Sequence, residues 1–399
     1  MLGSPTQGAT ARPEFRHDDA SDPELFAPRG LQIPGESLEC GAAECWRGPE
    51  PCRAPVLLTA LHTARMLPPM DPVTQGALGA AAAQLLLQKQ LGGRAWLYGA
   101  LGGMAADLDI FIRSGDDPLL AWTYHRHFTH SLAFVPIGGV LCGLPFIVRK
   151  PKAKRVLILA ATTAGYATHA LLDAFTSYGT QLWLPFSSAR VAWNWIGIVD
   201  PFFTLPLCFG VAIAAWKDRL RPLWIAAAWC ALYMAWGGLQ HGRAVAHAEE
   251  LAAQRSHTIA RIEAFPGVVT NVVWRTLYLA DGRIHVDAVH VPWWGETTSR
   301  KGGSTRAFQA QDHAALAAGD ARVAEGLATF DWFADSWVAE LPGETGVLGD
   351  LRYGRDLAAP NAMWGVRVQA NAEHPFEGFN TPPDRDGLSE LVDIWFDGF

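Results

Sequence analysis

Val156-Leu157-Ile158-Leu159-Ala160-Ala161-Thr162-Thr163-Ala164-Gly165-Tyr166-Ala167-Thr168-His169-Ala170-Leu171-Leu172-Asp173-Ala174-Phe175 decides how the chain is read. A helix that crosses a bilayer needs about 20 mostly apolar residues, and this run supplies them. It also carries His169 and Asp173, four residues apart and therefore on one helix face. Polar groups inside an apolar span are costly and call for a reason. Two reasons are available: a hydrogen-bonded pair that ties helices together, or a pair of metal ligands.

Five further apolar runs accompany it, at about 75–88, 95–112, 131–148, 198–216 and 222–240. The expected fold is mainly α, a polytopic membrane bundle of five to six helices. Lys and Arg concentrate in alternate loops. Arg149, Lys150, Lys152, Lys154 and Arg155 precede the quoted run, Lys217, Arg219 and Arg221 follow the fifth, and Lys89 and Arg94 follow the first. Under the positive-inside rule these loops are cytoplasmic. The opposite ends of the runs, with both termini, are then extracytoplasmic.

That orientation gathers the polar candidates. Asp107 and Asp109 end the second run, and the loop Tyr124-His125-Arg126-His127-Phe128-Thr129-His130-Ser131 precedes the third. His169 and Asp173 lie in the last turns of the fourth, and His241 follows the sixth. All are expected at one membrane face. Imidazole and carboxylate together suit a borderline divalent ion, zinc first and manganese second. The expected ligands are Asp107, His125, His130, His169 and Asp173. Asp109 is the candidate base and Arg126 the candidate substrate-binding cation. His127 is expected to be exposed, and Thr129 or Ser131 to cap the next helix. No nucleophile elbow, P-loop or dinucleotide loop is present.

The remainder of the chain differs. Across 399 residues, 18% are charged and the net charge is -7, which gives no reason to expect nucleic-acid binding. The mean hydropathy of +0.08 fits a membrane part averaged with a soluble one. Many of the 17 Trp lie near the ends of apolar runs, as interface aromatics do. Cys40, Cys45, Cys52, Cys142, Cys208 and Cys230 form no CxxC pair. Residues 1–69 are rich in Pro, Gly and charge; they read as a disordered or upstream extension, with Met70 as the start. Residues 70–243 are the expected membrane domain. Residues 244–399 are an expected soluble α+β domain, with strands at 268–274 and 284–288 joined by Asp281-Gly282, a helical stretch at 313–334 and a strand at 364–368.

Met70-Asp71-Pro72-Val73-Thr74, Asp107-Leu108-Asp109, His125-Arg126-x-Phe128-Thr129-His130-Ser131, His169-x-x-x-Asp173, Tyr178-Gly179-Thr180-Gln181 and Asp200-Pro201 together resemble the YdjM-type family of inner-membrane, metal-dependent hydrolases. The resemblance covers roughly 70–290. It implies a bacterial inner-membrane, multi-pass protein with a metal site. One departure is Gln75, where the family usually has a histidine. The expected function is hydrolysis of a phosphoester or lipid-borne substrate by a metal-activated water, with the bilayer as surrounding partner. The alternative is a non-enzymatic membrane protein whose His/Asp cluster is structural or binds ions.

Overall fold

A computed structural model describes residues 71–112, 119–370, 372–381, 393–395 and 398–399. The expectations for residues 1–69 and for Met70 lie outside these. Each apolar run is helical. Helix α1 is Pro72–Leu91, α2 Ala95–Ala105, α3 the short Leu120–Tyr124, α4 Val135–Ile147, α5 Lys152–Ala174, α6 Pro201–Lys217 and α7 Arg221–Gln254. Asp71 caps α1 by accepting from the Val73 N–H, and proline at the first turn presets the backbone. Asp200 and Pro201 start α6 in the same way.

The expected count of spans does not carry over. Among the described residues only α5 and α7 are long and apolar enough to cross a bilayer. A third arises if Trp122–His130 and Val135–Ile147, bent by 88°, count as one span. α2 stops after 11 residues because the chain tightens into a 3-10 turn at Ala106–Phe111, and α6 has 17. α1 is long enough but polar inside. Its buried Gln84 and Gln88 donate to the Val211 and Ala214 carbonyls of α6. In an apolar bundle such bonds join helices.

Helices α1, α2 and α5 pack backbone to backbone. A Cβ on Gly99 would stand 2.2 Å from the Gly79 carbonyl oxygen, and one on Gly165 would stand 2.1 Å from that of Gly99. Only a residue without a side chain permits this approach, and it fixes how α5 sits against the end of α2.

α7 runs 34 residues, straight through the 243/244 boundary that composition suggests. It then leads into an antiparallel sheet: β1 Arg261–Pro266, β2 Val273–Ala280, β3 Arg283–His290, β4 Thr298–Arg300 and β5 Ser304–Arg306. The order is β1-β2-β3, with β4 and β5 both pairing β3. Asp281 and Gly282 make the β2–β3 turn with φ of 51° and 71°, the positive pair a tight hairpin requires. Strand β2 begins at Val273, not at 268. Gly267 to Val272 form a turn in which the Thr270 hydroxyl accepts from the Val272 N–H.

The helical stretch at 313–334 is two helices, α8 Ala310–Ala317 and α9 Ala321–Phe333, separated by Gly319. A four-stranded meander follows: β6 Val338–Glu340, β7 Val347–Asp350, β8 Trp364–Val368 and β9 Phe376–Asn380. Buried Arg275 on β2 ties the two sheets. Its guanidinium donates to the carbonyls of Leu351, Asp356, Leu357, Ala359 and Asn361. One apolar core runs from the bundle into the tail through Trp122, Tyr178, Phe330, Phe333, Tyr353 and Trp364.

Gly99→Val should part α1, α2 and α5 and cost at least roughly 1–3 kcal/mol, the usual penalty for overpacking. Thermal unfolding of the detergent-purified protein would register it as a lowered midpoint. An unchanged midpoint would mean that the seam is loose.

Candidate metal centre

His130, His169, Asp107 and Asp173 meet where α5, the 3-10 turn after α2 and the histidine loop converge. His130 Nε2 lies 3.0 Å from His169 Nε2 and 3.2 Å from Asp173 Oδ2. His169 Nε2 lies 3.2 Å from Asp107 Oδ1 and 3.5 Å from Asp173 Oδ2. His130 Nε2 is 3.5 Å from Asp107 Oδ1. The side chains of His130, His169 and Asp173 are fully buried, and that of Asp107 is 14% exposed.

The outer atoms fix which face each ring presents. His169 Nδ1 sits on the Gly103 carbonyl, which can only accept, so this nitrogen carries the proton. His130 Nδ1 lies 3.0 Å from the Thr129 hydroxyl, whose own proton goes to Asp109, and 3.2 Å from Asp109 Oδ2, so this nitrogen also carries its proton. When both rings are neutral, each therefore aims a lone pair inward through Nε2. The two inward carboxylate oxygens add more lone pairs. In that state four acceptors, with five of their separations at 3.0–3.5 Å, repel one another unless a proton or a metal ion lies among them. With bonds of about 2.0 Å, four tetrahedral donors stand about 3.3 Å apart. The donor set and spacing thus fit a divalent ion.

Supporting groups hold the ligands. Gln75 Nε2 donates to Asp173 Oδ1 at 2.8 Å, which leaves Oδ2 facing the group. Arg126 Nε lies 3.3 Å from Asp173 Oδ2, and its Nη1 donates to Thr176 Oγ1. Such outer partners orient metal ligands and tune their basicity. Asp109 Oδ2 accepts from the Arg126 N–H and the Thr129 hydroxyl and lies 3.2 Å from His130 Nδ1. Its Oδ1 faces His125 Nδ1 at 2.8 Å.

The placement sorts the residues singled out in the sequence. Asp107, His130, His169 and Asp173 come together as one group. His125 does not join it; it gathers instead with Asp107 and Asp109. Asp109, read as a base, is engaged by the donors of the histidine loop. Arg126 is 4% exposed and stands behind Asp173 rather than at the mouth. His241 lies elsewhere, 2.6 Å from Glu263. His127 is half-buried beside Tyr124.

The tail reaches this centre. The Arg126 guanidinium lies over the Tyr178 ring, 5.1 Å from its centroid. Tyr178 packs against Phe333, Tyr353 and Trp364. Arg352 also lies over it at 5.5 Å, pairs with Asp350 and donates to the Ser177 carbonyl. Burial pushes the Tyr178 phenol well above its ordinary range, and neighbouring Tyr353 and Asp350 act in the same direction. Sequence reasoning missed Gly103, Tyr178 and Arg352 as parts of the centre. Only the Tyr178-Gly179-Thr180-Gln181 stretch had drawn notice, as part of the family resemblance.

A bundle of apolar helices enclosing a His/Asp group that could hold a metal ion defines the class of protein. Residues 70–244 match the family described as YdjM inner membrane protein. The chain is also 30% identical over 112 residues to the uncharacterized protein YfhP of Bacillus subtilis (strain 168), covering 28% of this chain and 34% of that protein. The chain thus spans about a third of the length of this relative. No solved structure matches significantly.

Two substitutions test the supporting groups. Gln75→Ala should weaken zinc binding by roughly 10–100-fold, the usual cost of losing an outer partner, measured by competition with a chromophoric chelator. An unchanged affinity would release Gln75 from that role. The Tyr178 hydroxyl has no hydrogen-bond partner among the described residues. Tyr178→Phe should therefore leave the unfolding midpoint unchanged or raised, whereas Tyr178→Ala should cost about 3–5 kcal/mol.

Proposed function

We propose that this chain is a multi-pass membrane protein that hydrolyses a phosphoester, on a lipid or a small molecule, with a divalent metal ion held by Asp107, His130, His169 and Asp173. The site and the tail lie on the periplasmic face of a bacterial inner membrane in this reading, as the loop charges suggest. The observation that carries it is the convergence of four inward lone-pair donors with tautomers and carboxylates set from outside. A bound ion would supply Lewis-acid catalysis and bring the pKa of a water to about 7. Zinc suits the donors best and manganese next.

The chain's own groups do the positioning. The Gly103 carbonyl and Asp109 fix the two imidazoles, and Gln75 and Arg126 fix Asp173. Arg126 is a positioning residue here, because it is buried against Asp173 and Thr176. Asp107 is the ligand with partial exposure and marks the side from which substrate enters.

One observation favours a second reading, a non-enzymatic protein with a structural or ion-binding cluster. Four protein donors close a tetrahedral ion, whereas catalytic sites keep a position open. Protein purified in detergent, loaded with zinc or manganese and presented with soluble and micellar phosphomonoesters and phosphodiesters, separates the two. Hydrolysis that falls at least about 100-fold in His169→Ala and Asp173→Ala, together with bound metal, is the expected result. A metal-loaded wild type that cleaves nothing would leave the second reading standing. If both variants keep their bound metal, the ligand assignment fails.

A further inference from the structure

His125, Asp107 and Asp109 form a second set of donors, one atom from each lying within 4.8 Å of the others. Asp107 belongs to both sets. The second set differs from the first in ways that bear on chemistry. It has three donors rather than four. His125 and Asp107 are partly exposed, whereas His130, His169 and Asp173 are buried. Its Asp109 Oδ1 and His125 Nδ1 face each other at 2.8 Å, while Asp109 Oδ2 is taken up by the loop donors and His130. Asp109 thus has one oxygen held by the loop and one paired with His125.

We propose that the centre takes two divalent ions, an inner one on Asp107, His130, His169 and Asp173 and an outer one on Asp107, Asp109 and His125, with Asp107 shared. This rests on the metal-binding part of the reading above and deepens it. Three protein donors leave an ion with positions for water and substrate, which the closed inner set lacks. The arrangement answers the objection that four donors complete a site: the inner ion is held, and the chemistry belongs to the outer position. Paired ions acting on the attacking and leaving oxygens are a recurrent means of phosphoester cleavage.

Charge explains the order of binding. Asp107, Asp109 and Asp173 carry three negative charges, and Arg126 one positive charge beside them. One divalent ion balances that total. A second leaves the mouth positive, which weakens its binding in the absence of an anion and favours an anionic substrate. The outer ion is therefore the weaker of the two.

Metal counting tests the proposal. Full-length protein in detergent is stripped with chelator, titrated with zinc, desalted and analysed for zinc per chain by mass spectrometry. Wild type should hold two equivalents, the second more weakly, and His125→Ala should hold one. Manganese-loaded wild type should give the exchange-coupled paramagnetic resonance signal of two ions sharing a ligand, and His125→Ala the signal of an isolated ion. One equivalent in wild type, two in His125→Ala, none in His125→Ala, or uncoupled signals from two ions in wild type would each overturn the shared-carboxylate pair. Retention of one ion by His125→Ala also shows that this variant is folded. Two bound ions without hydrolysis would sink the hydrolase reading and leave this one intact; one bound ion with hydrolysis would do the reverse.

Discussion

Two imidazole nitrogens stand 3.0 Å apart in the buried interior of the bundle, with carboxylates beside them. The rest of the centre follows from that confrontation. Each ring is turned inward because its other nitrogen is held from outside, by the Gly103 carbonyl for His169 and by the Thr129 hydroxyl and Asp109 for His130. Two more oxygens face the same point. Such a cluster is unfavourable without positive charge, since buried polar groups need partners of the opposite sense. Arg126 supplies part of that charge, and a cation among the donors would supply the rest.

Holding the confrontation in place demands a stiff frame. The Gly99 and Gly165 approaches set α5 against α2 at a distance no side chain would allow. The register of His169 against Gly103 depends on that seam, because the Gly103 carbonyl is the acceptor for His169 Nδ1. Arg126 adopts φ of 63°, a conformation most residues avoid. Its N–H, the Thr129 hydroxyl and His130 converge on Asp109, which holds the loop in that shape.

Much of the centre was legible because its residues have strong local patterns. His169 and Asp173 share a face by helical spacing, and the charged loops brought the two aspartates and the histidine loop to the same end. The division of labour was not legible. Asp107 and Asp109 are two residues apart, and only the 3-10 turn decides that one faces the histidines while the other holds the loop. Arg126 read as a surface cation because sequence cannot reveal that Tyr178 and the tail cover it. Six apolar runs read as six spans because hydropathy averages over the 3-10 turn after α2, the bend before α4 and the buried glutamines. Gln84 and Gln88 show why α1 sits as a packed helix rather than an unbroken apolar one.

The aromatic stack around Tyr178 has a consequence for dissecting the molecule. Trp122 and Tyr178 come from the bundle; Phe330, Phe333, Tyr353 and Trp364 come from the tail. The family match ends at residue 244, inside α7, and invites a cut there. Such a cut would expose a broad apolar face and strip the cover from Arg126. The tail is thus part of the same folding unit as the bundle. Substitutions near Tyr178 in one region should be sought alongside partners in the other.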